Sequence, residues 1–411
     1  MRAGRGNAVV DKWRLLARND DFAWGVFPNN KKEPFHTSLV LAEMGLTCTC
    51  SSQKAPCRHG LALLILLNER PDAFTTAVSP PWLTRQHQRH RSRQRRKPVS
   101  KPPSQKLQLL RSGMSELELW LRDLIRSGLA DLPQRPKSYW TQMADRMIDA
   151  EAPTIAYSLR AIAKVPVKQP NWPETYLRHL SRFYLFVQGF KEWDNLAPEI
   201  QADLQTAVGW LPPPANGNPV TDEWLVLGRT LAVFGPRRWH TTWLWGTETN
   251  RPAALTQDVR PGRLIRHFYA TGSRLQGGVS YASGSWPLLA HLSASQSLHQ
   301  QAKQTVPGYA SIQTAMKVVA QSKAASPWLD NFPLLLQHVL PMQINDTWQI
   351  VDEDGFALPL VQPQPHRWHL TAFSNGRFLP LFGLWNGTVF TPLTVGVDHK
   401  WLDLRVLRGV R

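Results

Sequence analysis

All three cysteines of the 411-residue chain, Cys48, Cys50 and Cys57, fall within ten positions, and His59 follows two residues on. The spacing is C-x-C-x6-C-x-H. On an extended strand, residues i and i+2 project to the same side, so Cys48 and Cys50 can offer two thiolates to one ion. The loop from Ser51 to Pro56 is long enough to bring Cys57 and His59 back opposite them. Soft thiolates with one imidazole suit tetrahedral Zn2+, and four protein ligands leave no position open for water. The expected site therefore holds one structural zinc ion. A redox pair would need C-x-x-C, which is absent. Burial as small core hydrophobes accounts for cysteines singly, but not for their clustering with a histidine at ligand spacing. Three cysteines also make no disulfide framework.

The flanking residues supply elements that can hold such a site. Ser38–Leu41 and Leu46–Cys50 read as strands joined by a turn through Glu43–Gly45. After His59, GLALLILLNERP reads as a short, almost wholly apolar helix that Pro71 ends. The result is a β-β-α unit with zinc between the hairpin and the helix start. So small a unit has little core, and metal binding can supply ~10–16 kcal/mol of apparent folding free energy.

CTCSSQKAPCRHGLALLILL resembles the SWIM zinc finger, whose pattern is C-x-C, a variable loop, then C-x-H. The resemblance implies Cys48, Cys50, Cys57 and His59 as the zinc ligands. It extends to Trp24-Gly25 and Pro34-Phe35 before the finger, to GMSELELWLRDLIRSGLADL after it, and to the Trp-rich end of the chain. The whole is similar to the long bacterial SWIM zinc finger proteins. That similarity implies a DNA- or protein-interaction module, with a MoxR-type AAA ATPase and a von Willebrand A domain protein as possible company, and it carries no enzymatic activity.

The charge is uneven. Of 48 Lys and Arg against 30 Asp and Glu, a balance of +18, ten cations and no acid lie between Asp72 and Glu116. Seven of them, Arg85, Arg89, Arg91, Arg93, Arg95, Arg96 and Lys97, fall within thirteen positions among Gln, Ser and His. Such a stretch cannot bury enough apolar surface to order itself and reads as a linker. Three roles stay open for it: a solvated tether, a contact for an acidic protein, or an arm that neutralises phosphates. It lacks aromatic residues for base stacking and reads no base sequence by charge alone. Lys54 and Arg58, beside the ligands, are further candidates for phosphate contact, against the plainer reading of a solvated surface.

The remaining chain reads as α+β and multidomain: a zinc finger module over 1–75, a basic linker over 76–113, a helical domain over 114–210, a Pro-rich linker over 211–222 and a Trp-rich β-containing domain over 223–411. Ser115-Glu116-Leu117-Glu118 has the form of a capping box, followed by Leu117, Trp120, Leu121, Leu124 and Ile125 on one face. Trp140, Met143 and Met147 mark a second helix, and Ile155, Leu159 and Ile162 a third. Pro173 starts another, with Tyr176, Leu177, Leu180, Tyr184 and Val187 inward, and Pro198 opens one ending near Gly209. Beyond LPPPANGNP the period shortens in EWLVLG, HTTWLWG and LIRHFYA, with a helix interposed around Ser311–Gln321. Hairpins are expected at Asp354-Gly355, Asn375-Gly376 and Asn386-Gly387.

Other features favour ordinary structure. Asp352-Glu353-Asp354-Gly355 does not continue as an EF-hand loop and reads as a turn with solvated acids. The tryptophans of the β-containing end sit in hairpin settings, where cross-strand packing outweighs a ligand-stacking platform. His366 and His369 lack companion ligands. The chain has no G-x4-G-K-[ST], H-E-x-x-H, G-x-S-x-G or G-x-G-x-x-G, so neither an enzyme nor a small-molecule substrate is indicated. The longest apolar run, Leu61–Leu67, is too short for a bilayer and MRAGRGNAVVDKWRLL is not a signal peptide, so a cytoplasmic protein is expected.

Overall fold

The computed structural model describes residues 5–29, 33–41, 45–52, 57–84, 103–128, 130–165, 172–215, 217–234, 237–258, 269–298, 307–361, 367–398 and 400–404. It contains two compact units. One is Met1–Lys101 with Pro236–His240 and Gln257–Phe268; the other is Pro102–Gly235, Thr241–Thr256 and Tyr269–Arg411. The architecture is mixed α+β, with an N-terminal sheet and short helix, a central helical region and β-rich sheets towards the end.

In the first unit, β1 (Leu15–Arg18), β2 (Phe22–Phe27), β3 (Phe35–Val40), β4 (Gly45–Cys48) and β5 (Thr75–Thr76) form one sheet in the order β4-β3-β2-β1-β5. The expected β-β-α unit is thus the edge of a five-stranded sheet, whose first two strands the sequence did not announce. Helix α1 (Arg58–Glu69) buries Ala62, Leu63 and Leu66 against Leu16, Ala23, Leu39 and Phe74. Trp13 joins this core across Gly25, where any Cβ would run into the indole ring. On the opposite face, Ala17 and Trp24 enclose Leu83, which is fully buried. The packed module therefore reaches past residue 75 to Leu83.

In the second unit, α2 (Pro103–Arg126), α3 (Lys137–Asp149), α4 (Pro153–Ile162), α5 (Trp172–Lys191) and α6 (Pro198–Val208) share a core built around Trp140, Phe183 and Phe186. Helix α2 starts at Pro103, so residues 103–113, expected as linker, are helical. Ser115 consequently lies inside the helix and its hydroxyl donates to the Arg111 carbonyl at 3.1 Å, so the capping box caps nothing. Gly113 allows α2 to approach α3 closely, since a Cβ there would collide with that of Ala150. On α5 the buried face is Tyr176, Leu180, Phe183, Phe186, Val187 and Phe190, while Leu177 and Tyr184 face solvent, contrary to expectation. Trp328, from the chain beyond the helices, completes this core by stacking on Phe186 with ring centroids 5.1 Å apart.

Two sheets follow. β6 (Val220–Phe234), β7 (Arg237–Gly246), β8 (Pro252–Asp258), β9 (Arg274–Tyr281) and β10 (Ala290–Leu298) are ordered β10-β9-β6-β7-β8. β11 (Phe332–Ile344), β12 (Thr347–Asp352), β13 (Ala357–Pro359), β14 (Leu379–Trp385), β15 (Phe390–Val397) and β16 (Lys400–Asp403) are ordered β13-β12-β11-β14-β15-β16. Along β6, Trp224 and Val226 enter one core and Leu225 and Leu227 another, which explains the unbroken apolar run of EWLVLG. Helix α7 (Ile312–Ala325) has the expected position, with Ser311 accepting from the Thr314 amide at 3.2 Å.

Of the three expected hairpins, Asp354-Gly355 and Asn386-Gly387 turn as expected. Asn375-Gly376 instead ends helix α8 (Arg367–Ser374), with φ of 45° and 74°. Asp352 is 3% exposed rather than solvated, accepting from the Ile312 amide at 2.7 Å and the Phe356 amide at 2.8 Å. The strand expected over LIRHFYA and the site of His366 fall mostly or wholly outside the described residues, whereas His369 lies on α8.

Candidate metal centre

Alternation along β3 and β4 sets the geometry. Phe35, Thr37 and Leu39 project to the face that α1 covers, and His36 to the other, where it meets the Trp82 ring at 4.6 Å. Thr37 pairs with Cys48 across the strands, so Cys48 faces the helix start, and Cys50 lies two residues further on the same side. Cys57 is the N-cap of α1, its sulfur accepting from the Gly60 amide at 3.4 Å. His59 is the second residue of that helix.

The four side chains converge: their ligand atoms all lie within 4.8 Å of one another. Sγ of Cys48 is 3.8 Å from Nδ1 of His59, close to the edge of a tetrahedral zinc site with bonds of about 2.0–2.3 Å. His59 is 2% exposed and its ring lies between Phe27 and Phe35, each with its centroid 4.8 Å away. Its Nε2 is buried without a hydrogen-bond partner among the described residues. The imidazole cannot reach water and turns its other nitrogen to the sulfurs. That is the behaviour of a ligand rather than of a surface histidine.

The sulfurs divide their protons unequally. The hydrogen bond from Cys48 draws the Cys57 thiol down to about 3, helped by His59 and the helix amide of Gly60. The same hydrogen bond, with burial, drives the Cys48 thiol far up, and burial raises Cys50. Three sulfurs this close repel one another as thiolates, so all three ionise together only beside a cation. Zn2+ meets that need, with three sulfurs and one nitrogen filling its coordination and none left for substrate. Thr37, whose hydroxyl lies 3.2 Å from Sγ of Cys48, supports the ligand from outside. Its role has no linear signal other than the strand period.

The basic candidates fare differently. Arg58 is exposed at the first position of α1, next to two ligands. Lys54 and Arg85, Arg89, Arg91, Arg93, Arg95, Arg96 and Lys97 lie outside the described residues.

A sheet edge closed onto a helix start by a Cys3His set defines a structural zinc finger. Its type is given by comparison: residues 32–68 match the SWIM zinc finger, and residues 105–208 match the SWIM-associated four-helix bundle domain. The resemblance carried by C-x-C-x6-C-x-H therefore holds, and it extends to the helices of the second unit. No curated protein and no solved structure matches the chain. Among the described residues, no helix is long and apolar enough to cross a membrane.

Proposed function

We propose that the chain is a non-enzymatic binding protein, whose zinc-stabilised N-terminal module engages polyanions, DNA foremost, through the basic segment that follows it. The observation that carries this reading is where the segment starts. Trp82 and Leu83 pack on the finger's sheet, and Arg85 begins an acid-free run of seven cations in thirteen positions. A run of cations rooted on a folded module neutralises phosphates by releasing counterions and orients the module against the duplex. Arg58, and Lys54 in the zinc loop, add charge beside the metal. Zinc acts here by holding the surface together, since its four ligands leave no reactive position. Binding of duplex DNA by the full chain, measured across a salt series, tests the reading. Affinity should fall linearly with log[salt], and a flat dependence overturns it.

A protein partner is the second reading. Leu119, Ile125, Leu177 and Tyr184 are each more than half exposed on α2 and α5. An assembly with a AAA ATPase, the company that the family resemblance implies, would cover such residues and survive both high salt and nuclease.

A further inference from the structure

The β-rich part of the second unit contains a cavity of about 440 Å3, lined by Trp286, Leu288, Tyr309, Val318 and Phe332 with Thr249–Pro252 and Pro287. Sites for small ligands typically measure about 300–1,000 Å3 and combine an apolar lining with a few placed polar groups. Phe332 is 1% and Tyr309 8% exposed, so these walls belong to the core.

The loop bearing Arg251 is held in place before any ligand arrives. Asp222 accepts from the amides of Glu248 and Thr249 at 3.1 and 2.9 Å and from the Thr249 hydroxyl at 2.6 Å. Asn250, at φ 51°, accepts through Oδ1 from Nε1 of Trp245 and from the Gly308 amide, both at 2.8 Å. The Arg251 guanidinium lies over the Tyr281 ring, 4.6 Å from its centroid. Thr249 and Asn250 are therefore engaged within the fold. The other polar groups of the lining are the Arg251 guanidinium, Nε1 of Trp286 and the Tyr309 hydroxyl. None of these makes a hydrogen bond among the described residues, and no carboxylate lines the cavity.

The one formal charge of the lining is thus a cation, set beside aromatic faces. A cation would meet Arg251, and a wholly apolar molecule would make no use of its exposed guanidinium. A carboxylate takes two parallel N–H donors from a guanidinium, and a flat apolar body fits between aromatic walls. We propose that this cavity binds a small aromatic carboxylate, with the carboxylate on Arg251 and the ring among Trp286, Tyr309 and Phe332.

The test uses the full chain, with 2-naphthylacetate and its neutral amide as probes in titration calorimetry. The acid should bind saturably, at least about tenfold tighter than the amide. Arg251→Gln should lower acid affinity to that of the amide and leave amide affinity unchanged. Equal affinities in the native protein, absence of saturable acid binding below about 1 mM, or an acid preference surviving in Arg251→Gln would each overturn the proposal. Should Arg251→Gln lose its thermal transition, the acid–amide comparison in the native protein still decides.

Discussion

Nδ1 of His59 lies 3.8 Å from Sγ of Cys48, across eleven residues that separate a helix from a strand. Folding and ligation are therefore coupled in this module, because the closed sheet and helix bring the two atoms together. Cys57→Ala removes a ligand and the N-cap of α1 at once. It should abolish stoichiometric zinc and unfold the N-terminal unit, with the second unit still folded. Metal content by atomic emission and near-ultraviolet circular dichroism check this. Retained zinc would refute the ligand assignment. Chelation of the native protein should produce the same partial unfolding, since metal binding of this kind contributes ~10–16 kcal/mol.

Leu83 packs on the far face of the finger sheet with Ala17 and Trp24, and it is fully buried. Leu83→Ala should destabilise the N-terminal unit by about 2–5 kcal/mol, the usual range for such a cavity. The effect is read as easier zinc loss to chelator and an earlier unfolding transition. An unchanged chelation curve would mean that the module ends before residue 80.

What the sequence made legible follows from how local each signal is. The zinc ligands were readable because ion coordination forces residue type and spacing within twelve positions, Cys48 to His59. Strands β1 and β2 were not, since their pattern is set by Trp13 folding over Gly25, a contact twelve residues distant. Ser115 and Glu118 imitate a cap locally, but the apolar face already runs through Leu110 and Met114, so the helix had begun. Asn375-Gly376 supplies two positive-φ residues, which end a helix as readily as they turn a hairpin. Asp352 looks solvated beside Glu353 and Asp354, until α7 places the Ile312 amide on it. The aromatic cavity is assembled from residues between 249 and 332, and no window of sequence contains it.

Trp328 joins the helical core to the chain leading into β11, and Arg182 fastens the junction by donating to the Trp328 carbonyl at 2.6 Å. Trp328→Ala should cost about 3–5 kcal/mol and lower the unfolding midpoint of the second unit as a whole. If helices and sheets then melt in separate steps, the tryptophan is what makes them cooperative. An unchanged melting curve would contradict its place in the core.

Glu118 accepts from Lys191 and Arg122, each at 2.6 Å, and is 8% exposed. The Lys191 hydrogen bond, with both cations nearby, holds its carboxyl below the ordinary glutamate value of about 4.3. A depressed folded-state value means that the stabilisation is full above the unfolded value and is lost as pH falls through the folded one. The thermal midpoint of the second unit should therefore drop on acidification below about pH 4.3. Glu118→Gln should lower the midpoint at pH 7 and flatten that acid limb. A variant with the native acid dependence would remove Glu118 from the account.

The basic segment makes the sharpest separation between the two functional readings. Replacing Arg85, Arg89, Arg91, Arg93, Arg95, Arg96 and Lys97 with Gln removes seven cations and touches no zinc ligand. Zinc content and the chelation curve should stay as in the native protein. If all seven cations meet phosphates, the slope of log K against log[salt] should become shallower by about 6, from 0.9 per phosphate. Smaller losses count the cations that engage. DNA affinity and slope that do not change would make the segment a tether. Any polyanion contact would then fall to the finger surface around Arg58, and the exposed apolar residues of α2 and α5 would become the stronger guide to a partner.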